Sequence, residues 1–259
     1  KPMKENKLLR GLCVLTAALM LGLTGCANGS DTNGSDAQSQ AATAEVQSAW
    51  TELDQTTITK EMGMGWNLGN QLEASNAGIP SETTWGNPTI SEDLIKAVKE
   101  QGFKTVRIPV SYLDKIGAAP DYTIDSAWLD RVQEVVDYVV GNDLYAIINI
   151  HGDGYYTVDK SWLRCVDDNQ DEIKDKYEKV WAQIADRFKD YDQHLIFESM
   201  NEESDNTYGK PNATGYENIN AYNQIFVDTV RKTGSNNEKR WLLIPGWNTN
   251  IEYTVSLKF

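Results

Sequence analysis

The chain has 259 residues, of which 40% are hydrophobic and 24% charged, a globular composition with room for one barrel-sized domain or two small ones. Its 38 acidic residues against 24 basic ones give a formal charge of -14, which argues against a nucleic-acid groove, since such a groove needs a positive surface to displace counterions. Three cysteines and two histidines, His151 and His194, are too few for a disulfide framework or a zinc cluster, so neither metal nor cofactor is expected.

In chain order, the first segment reads as an address. Lys4, Lys7 and Arg10 precede an apolar run from Leu12 to Leu23 that is short for a bilayer span and ends in Leu23-Thr24-Gly25-Cys26. This is the pattern of a signal peptide over residues 1–26. Leu-Thr-Gly-Cys is similar to the bacterial lipobox, which makes Cys26 the expected lipid-bearing residue of an exported protein, anchored at the bacterial cell surface; an ordinary secretory signal with an incidental cysteine is the other reading. Residues 27–47 are Asn, Gly, Ser, Asp, Thr, Gln and Ala with too few apolar side chains to fold, and read as a tether. Residues 1–45 hold four basic (Lys1, Lys4, Lys7, Arg10) and four acidic (Glu5, Asp31, Asp36, Glu45) residues, so the whole net charge falls on the domain expected over residues 48–259.

Within that domain, short β-rich runs alternate with helical patterns, the signature of βα units and a parallel sheet. Strands are predicted at Gly65 to Leu68, Thr105 to Val110, Tyr145 to Ile150, Leu195 to Met200 and Trp241 to Ile244. Between them run apolar stripes of helical period: Leu94, Ile95 and Val98; Leu129, Val132, Val135, Val136 and Val139; Ile173, Tyr177, Val180, Trp181, Ile184 and Phe188; Tyr222, Ile225, Phe226 and Val230. Ser91 is a good helix N-cap, and Gly102, Gly141 and Gly234 mark helix ends. Five units of this kind fit either an open doubly wound sheet or the first five of the eight units of a (β/α)8 TIM barrel, and periodicity alone does not separate them.

In either architecture ligands meet the carboxyl ends of the strands, and there Asn67, Arg107, His151, Asn201 and Glu202 gather on one rim. Glu198, four residues before Glu202, reads as an interior carboxylate paired with an arginine, because a lone buried charge is costly. Arg107 suits that role. Trp128 and Trp181 fall on helix stripes and are core, whereas Trp66, Trp85, Trp162 and Trp247 lie on or near rim loops where a ring can stack on a sugar or simply pack. Asn67 and Asn70 are turn residues or sugar-hydroxyl ligands. Gly63, Gly65 and Gly69 fail the spacing of a dinucleotide fingerprint, and a Cys165–His nucleophile is disfavoured with so few histidines.

Six stretches together resemble glycoside hydrolase family 5, the cellulase family, and most closely its endoglucanase and xyloglucanase-like branch: Gly65 to Gln71 (GWNLGNQ), Glu82 to Pro88 (ETTWGNP), Gly102 to Val110 (GFKTVRIPV), Ile148 to Gly154 (INIHGDG), Phe197 to Glu202 (FESMNE) and Leu243 to Asn250 (LIPGWNTN). The resemblance implies a retaining endo-β-1,4-glucanase with two carboxylates about 5 Å apart. It makes Glu202 the general acid and base, with a pKa raised in a partly buried site, and Asn201 the residue that bonds the sugar 2-hydroxyl. Arg107 would lie against the nucleophile, and His151 would bind sugar hydroxyls and organise the acid. Asn67, Trp66 and Trp247 complete the expected substrate contacts.

Two positions depart from the family pattern. Gly152 stands where many members have a second histidine, and Glu203 where proline commonly follows the acid. The nucleophile of the family is a glutamate on the seventh barrel strand, which the five predicted units do not include, so the chain taken alone is expected to be inactive. The implied partner is an uncharged β-glucan such as cellulose, xyloglucan or mixed-linkage glucan. A glycan- or solute-binding lipoprotein that uses the same rim without catalysis is the competing reading.

Overall fold

The computed structural model describes residues 49–205, 207 and 209–255. The expected signal peptide with its Cys26 and the expected tether therefore lie outside the described residues. Among the described residues, seven strands and six α-helices follow in order: α1 (Gln55–Met62), β1 (Gly65–Asn67), β2 (Ser75–Asn76), β3 (Ile79–Pro80), α2 (Glu92–Glu100), β4 (Thr105–Ile108), α3 (Ser126–Val140), β5 (Tyr145–Asn149), α4 (Gln170–Phe188), β6 (Leu195–Glu198), α5 (Ala213–Lys232), β7 (Leu242–Leu243) and α6 (Ile251–Thr254).

The five predicted strands are β1, β4, β5, β6 and β7, and they form one sheet in that order with every neighbouring pair parallel. An open doubly wound sheet reverses its strand order at a switch point. Here each strand pairs with the next along the chain and no reversal occurs, which is the winding of a barrel. The strands are shorter than predicted at their carboxyl ends. β4 stops at Ile108 because Pro109 has no N–H to continue the ladder.

Strand alternation gives the sheet two different faces. Val106, Ile108, Ala146, Ile148, Leu195 and Phe197 face the helices and merge with Val132, Val135, Val136, Val139, Tyr177, Trp181 and Phe226 in the main core. The opposite face carries a smaller cluster of Tyr145, Ile147 and Ile196, closed from below by Ile58 of α1. That helix escapes the sequence reading, because the β-branched run Thr56-Thr57-Ile58-Thr59 shows no helical stripe. Its start is set by Asp54, which caps Thr57 N at 2.7 Å, and its end is held by Thr105 Oγ1 donating to Met62 O at 2.7 Å. The small β2–β3 hairpin in the loop after β1 likewise has no counterpart in the predicted elements.

The helix ends follow their caps. Ser91 accepts from Leu94 N at 3.3 Å, and Gly102 and Gly234 follow their helices with φ of 92° and 73°. Gly141 differs from the expectation: its φ is -62° and its N–H still bonds Asp137 O at 2.8 Å, so the left-handed turn falls instead on Asp143 with φ 54°.

Below the sheet, the fully buried Arg240 ties the turn between α4 and β6 together. Its guanidinium donates to the carbonyls of Phe188, Tyr191, Asp192 and Leu195 and to Asn237 Oδ1, at 2.6 to 3.0 Å. Arg240→Ala would remove the guanidinium's hydrogen bonds from that buried turn, and equilibrium unfolding in denaturant is expected to show a loss of about 3 kcal/mol or more.

Candidate active site

The rim site is built on the inner face of the sheet. Asn67 ends β1, Arg107 lies in β4 directly beside it in register, and Glu198 ends β6. The three side chains alternate onto the same face and meet there. Arg107 grips Glu198 with two bonds, Nε to Oε2 at 2.6 Å and Nη2 to Oε1 at 2.8 Å. It also donates from Nη1 to Asn67 Oδ1 at 3.0 Å and from Nη2 to Asn201 Oδ1 at 2.7 Å. Burial alone would lower the arginine's pKa, but its bonds and charge interaction with Glu198 outweigh that and leave it raised. Glu198 is thus the paired interior carboxylate that its position predicts.

Asn201 is buried, held on one side by Arg107 and on the other by its own amide donating to the Tyr155 hydroxyl. Its backbone N–H bonds Ile150 O at 3.0 Å, which stitches the turn after β6 to the end of β5. Glu202, the next residue, is exposed. The partly buried setting expected for it is not formed by the described residues, because the five strands wall the rim on one side only. His151 is half-buried beside Asn149, whose amide approaches Nδ1 at 3.5 Å, and its ring meets Tyr155 edge-on at 6.3 Å. Burial, helped by the charge of Arg107, pushes the imidazole down to about 3. The loop after β5 turns at Gly152 with φ 83°, a conformation that suits glycine and disfavours the histidine found there in many members of the family.

The tryptophan assignments need correction. Trp66 alternates with Gly65 and Asn67, so its ring points to the helix side and packs against the main core. Trp247 is fully buried; its indole donates to Gly209 O at 3.0 Å, and its ring lies so close to Gly215 that a Cβ there would come within 2.7 Å of it. The Trp247 ring offers no face to a sugar, and the Trp66 ring is turned away from the face of the sheet that carries Asn67 and Arg107. Asn70, with φ 64°, is a turn residue. Tyr155 was missed by sequence reasoning: it sits in an irregular loop, and its one signal is its place four residues after His151. Among the described residues no three His, Cys, Asp or Glu side chains converge to hold a metal ion.

A parallel sheet wound strand by strand, with polar and charged side chains gathered at its carboxyl rim, places the chain in the class of (β/α)8 barrel proteins. The profile of Cellulase (glycosyl hydrolase family 5) matches residues 59–257, and the chain belongs to this family. Endoglucanase A of Paenibacillus barcinonensis is 60% identical over 216 residues, which cover 83% of this chain and 53% of the relative. A xyloglucan-specific endo-β-1,4-glucanase of Bacteroides ovatus is 39% identical over 79% of this chain and 41% of its own length. Among solved structures, a family 5 xyloglucanase from Paenibacillus pabuli in complex with ligand superposes with a TM-score of 0.77 at 63% identity, over 78% of this chain and 56% of that one. A broad-specificity endoglucanase from Ruminococcus champanellensis with bound cellotriose gives 0.74 at 41%, over 82% and 63%. The chain thus spans about half the length of the curated relatives it matches.

The lowered His151 pKa has a direct consequence: the ring stays neutral through the pH range in which an ordinary histidine titrates. His194 differs, because its hydrogen bond and charge interaction with Asp192 raise its pKa. NMR titration of the imidazole protons should show His194 changing above the ordinary value of 6.5 and His151 showing no step down to about pH 4; a His151 step near 6.5 would contradict the half-buried setting near Arg107.

Proposed function

We propose that this chain supplies the acid and base half of a retaining endo-β-1,4-glucanase that cleaves β-glucan polysaccharides. The observation that carries the reading is the placement of Glu202: an exposed carboxylate at the carboxyl end of β6, flanked by the anchored Asn201 and set above the Arg107–Glu198 pair. In that role Glu202 protonates the departing glycosidic oxygen, and in the second half of the reaction it takes a proton from the attacking water. Asn201, turned by Arg107 and Tyr155, is oriented to meet the sugar 2-hydroxyl. Neutral His151 can both donate to and accept from sugar hydroxyls, which a charged imidazolium could not. Arg107 is largely occupied by Glu198, Asn67 and Asn201, so it acts here first as the organiser of the rim.

The second carboxylate of a retaining mechanism must form and release a glycosyl ester from the opposite side of the sugar. The family resemblance assigns it to the seventh barrel strand, and the described residues supply five. The 259-residue chain assayed alone should therefore release no reducing sugar from carboxymethylcellulose or xyloglucan. Fused in frame to the remaining barrel strands of the Paenibacillus barcinonensis endoglucanase, it should hydrolyse both, and Glu202→Gln should lower kcat by about 10²–10⁴-fold. A chimera that folds and binds these glucans without cleaving them would favour the binding-protein reading.

We also propose export and lipid anchoring at Cys26, supported by the charged start, short apolar run and Leu-Thr-Gly-Cys exit of residues 4–26. Cys26→Ser should move the protein from the membrane fraction to the soluble fraction of a bacterial host; unchanged membrane recovery would remove the anchor.

A further inference from the structure

Two loops of the rim, one after β5 and one after β6, meet at a pair of buried carboxyl groups that the reaction described above does not use. Asp153 is fully buried. It accepts from Tyr112 N at 3.1 Å through both carboxyl oxygens and from Trp162 Nε1 at 2.8 Å, while the Lys176 ammonium lies 4.5 Å over the Trp162 ring. Glu203 is 1% exposed, and among the described residues no side chain donates to either of its carboxyl oxygens. They press against the backbone of Gly154, where a Cβ would fall 1.6 Å from Oε2 and 2.6 Å from Leu163 O. Any other residue at 154 would displace the Glu203 carboxyl.

The groups facing Glu203 are Asp153 and Tyr155 from the loop after β5, Cys165 further along that loop, Tyr177 of α4, Tyr222 of α5, and Glu202 itself. None of these is a cation; Lys176 acts on Asp153. Against the desolvation cost of a carboxylate sealed among such neighbours stands the backbone N–H of Gly154, which favours the anion and offsets only part of that cost. The two acids therefore divide the work: Asp153, which accepts from two donors, is the better anion, and Glu203 is the better holder of a proton. Burial raises both, Asp153 to about 7 and Glu203 well above its ordinary range.

Glu203 is also a fixed point of the chain. Its carbonyl accepts from Asn248 N at 2.9 Å, just as Asn201 N bonds Ile150 O on the other side of Glu202. The exposed acid thus stands between two buried neighbours. We propose that Glu203 is a positioning residue for Glu202 that works only as the neutral acid: its protonated side chain, sealed beside Asp153, fixes the segment that presents Glu202, and that hold is lost when the proton leaves. The proposal rests on Glu202 as the acid and base, but the coupling between the two glutamates is measurable without turnover.

The folded chain keeps this proton at a pH where the unfolded chain, with an ordinary carboxyl near 4.5, has released it. Glu203 therefore makes stability fall as pH rises from that value toward its raised folded-state pKa. The test compares the 259-residue chain with its Glu203→Gln and Glu203→Met forms, using thermal unfolding from about pH 5 to about pH 9 and carbon NMR of labelled glutamate carboxyls. The expected results are a Glu203 carboxyl still protonated well above pH 4.5, a Tm that falls with pH in the parent and falls less in both variants, and a Glu202 carbon shift that responds to the loss of the Glu203 proton in the parent and in neither variant. Glu203 titrating near 4.5, or parallel Tm curves, would overturn the buried acid. A Glu202 curve identical in parent and Gln variant would overturn the positioning role and leave Glu203 a packing residue. A chimera without glucanase activity would instead count against the function of Glu202 and leave this coupling standing.

Discussion

The Arg107–Glu198 contact is the constraint on which the rim depends. A carboxylate on the inner face of a sheet is costly unless it is paired and hydrogen-bonded. Glu198 obtains both from one planar guanidinium, whose fork matches its two oxygens. The same guanidinium then has donors left for Asn67 on β1 and for Asn201 in the turn after β6. One side chain on β4 thereby sets the relative positions of three strand ends, and Glu202 inherits its place from the residue before it. A buried ion pair is weak evidence for net stability, but as a geometric device it has few substitutes, since lysine could not make the forked contact.

The two faces of the sheet serve different ends. The helix-facing side is continuous hydrocarbon, and its burial at roughly 25 cal/mol per Å² supplies the main drive to fold. The inner face is graded along the strands, from Tyr145, Ile147 and Ile196 near α1 to Asn67, Arg107, Asn149 and Glu198 at the carboxyl ends. Apolar packing below holds the strand positions, and that leaves the polar rim free to be arranged for chemistry. The loops that leave this rim carry the Asp153–Glu203 pair, so the support behind Glu202 is itself polar and responsive to protons.

Much of this organisation is legible in the chain. The five strands and four large helices follow from short β-rich runs alternating with apolar stripes of period 3.6, and Ser91, Gly102 and Gly234 mark element ends through capping chemistry that depends only on neighbouring residues. Elements lacking such a pattern are not legible. Helix α1 is a β-branched run that is helical because Asp54 caps it and Ile58 finds a pocket under the sheet. Tyr155 belongs to an irregular loop, and its contact with Asn201 crosses from one βα unit to another.

The sequence by itself determined the parallel sheet, the family and the identity of the rim residues, because these rest on local periodicity and on motifs contiguous in the chain. Only the tertiary structure decided between an open sheet and a barrel winding, since strand order is a long-range property. It also decided which aromatic rings face solvent. Trp66 and Trp247 sit in motif stretches as suggestive as those of Asn67 and Glu202, but strand alternation turns the first toward the helices and close packing on Gly215 buries the second. Glu203, in sequence a mere departure from a pattern, became a buried acid beside Asp153 once the loops from two strands folded against each other and excluded water from both.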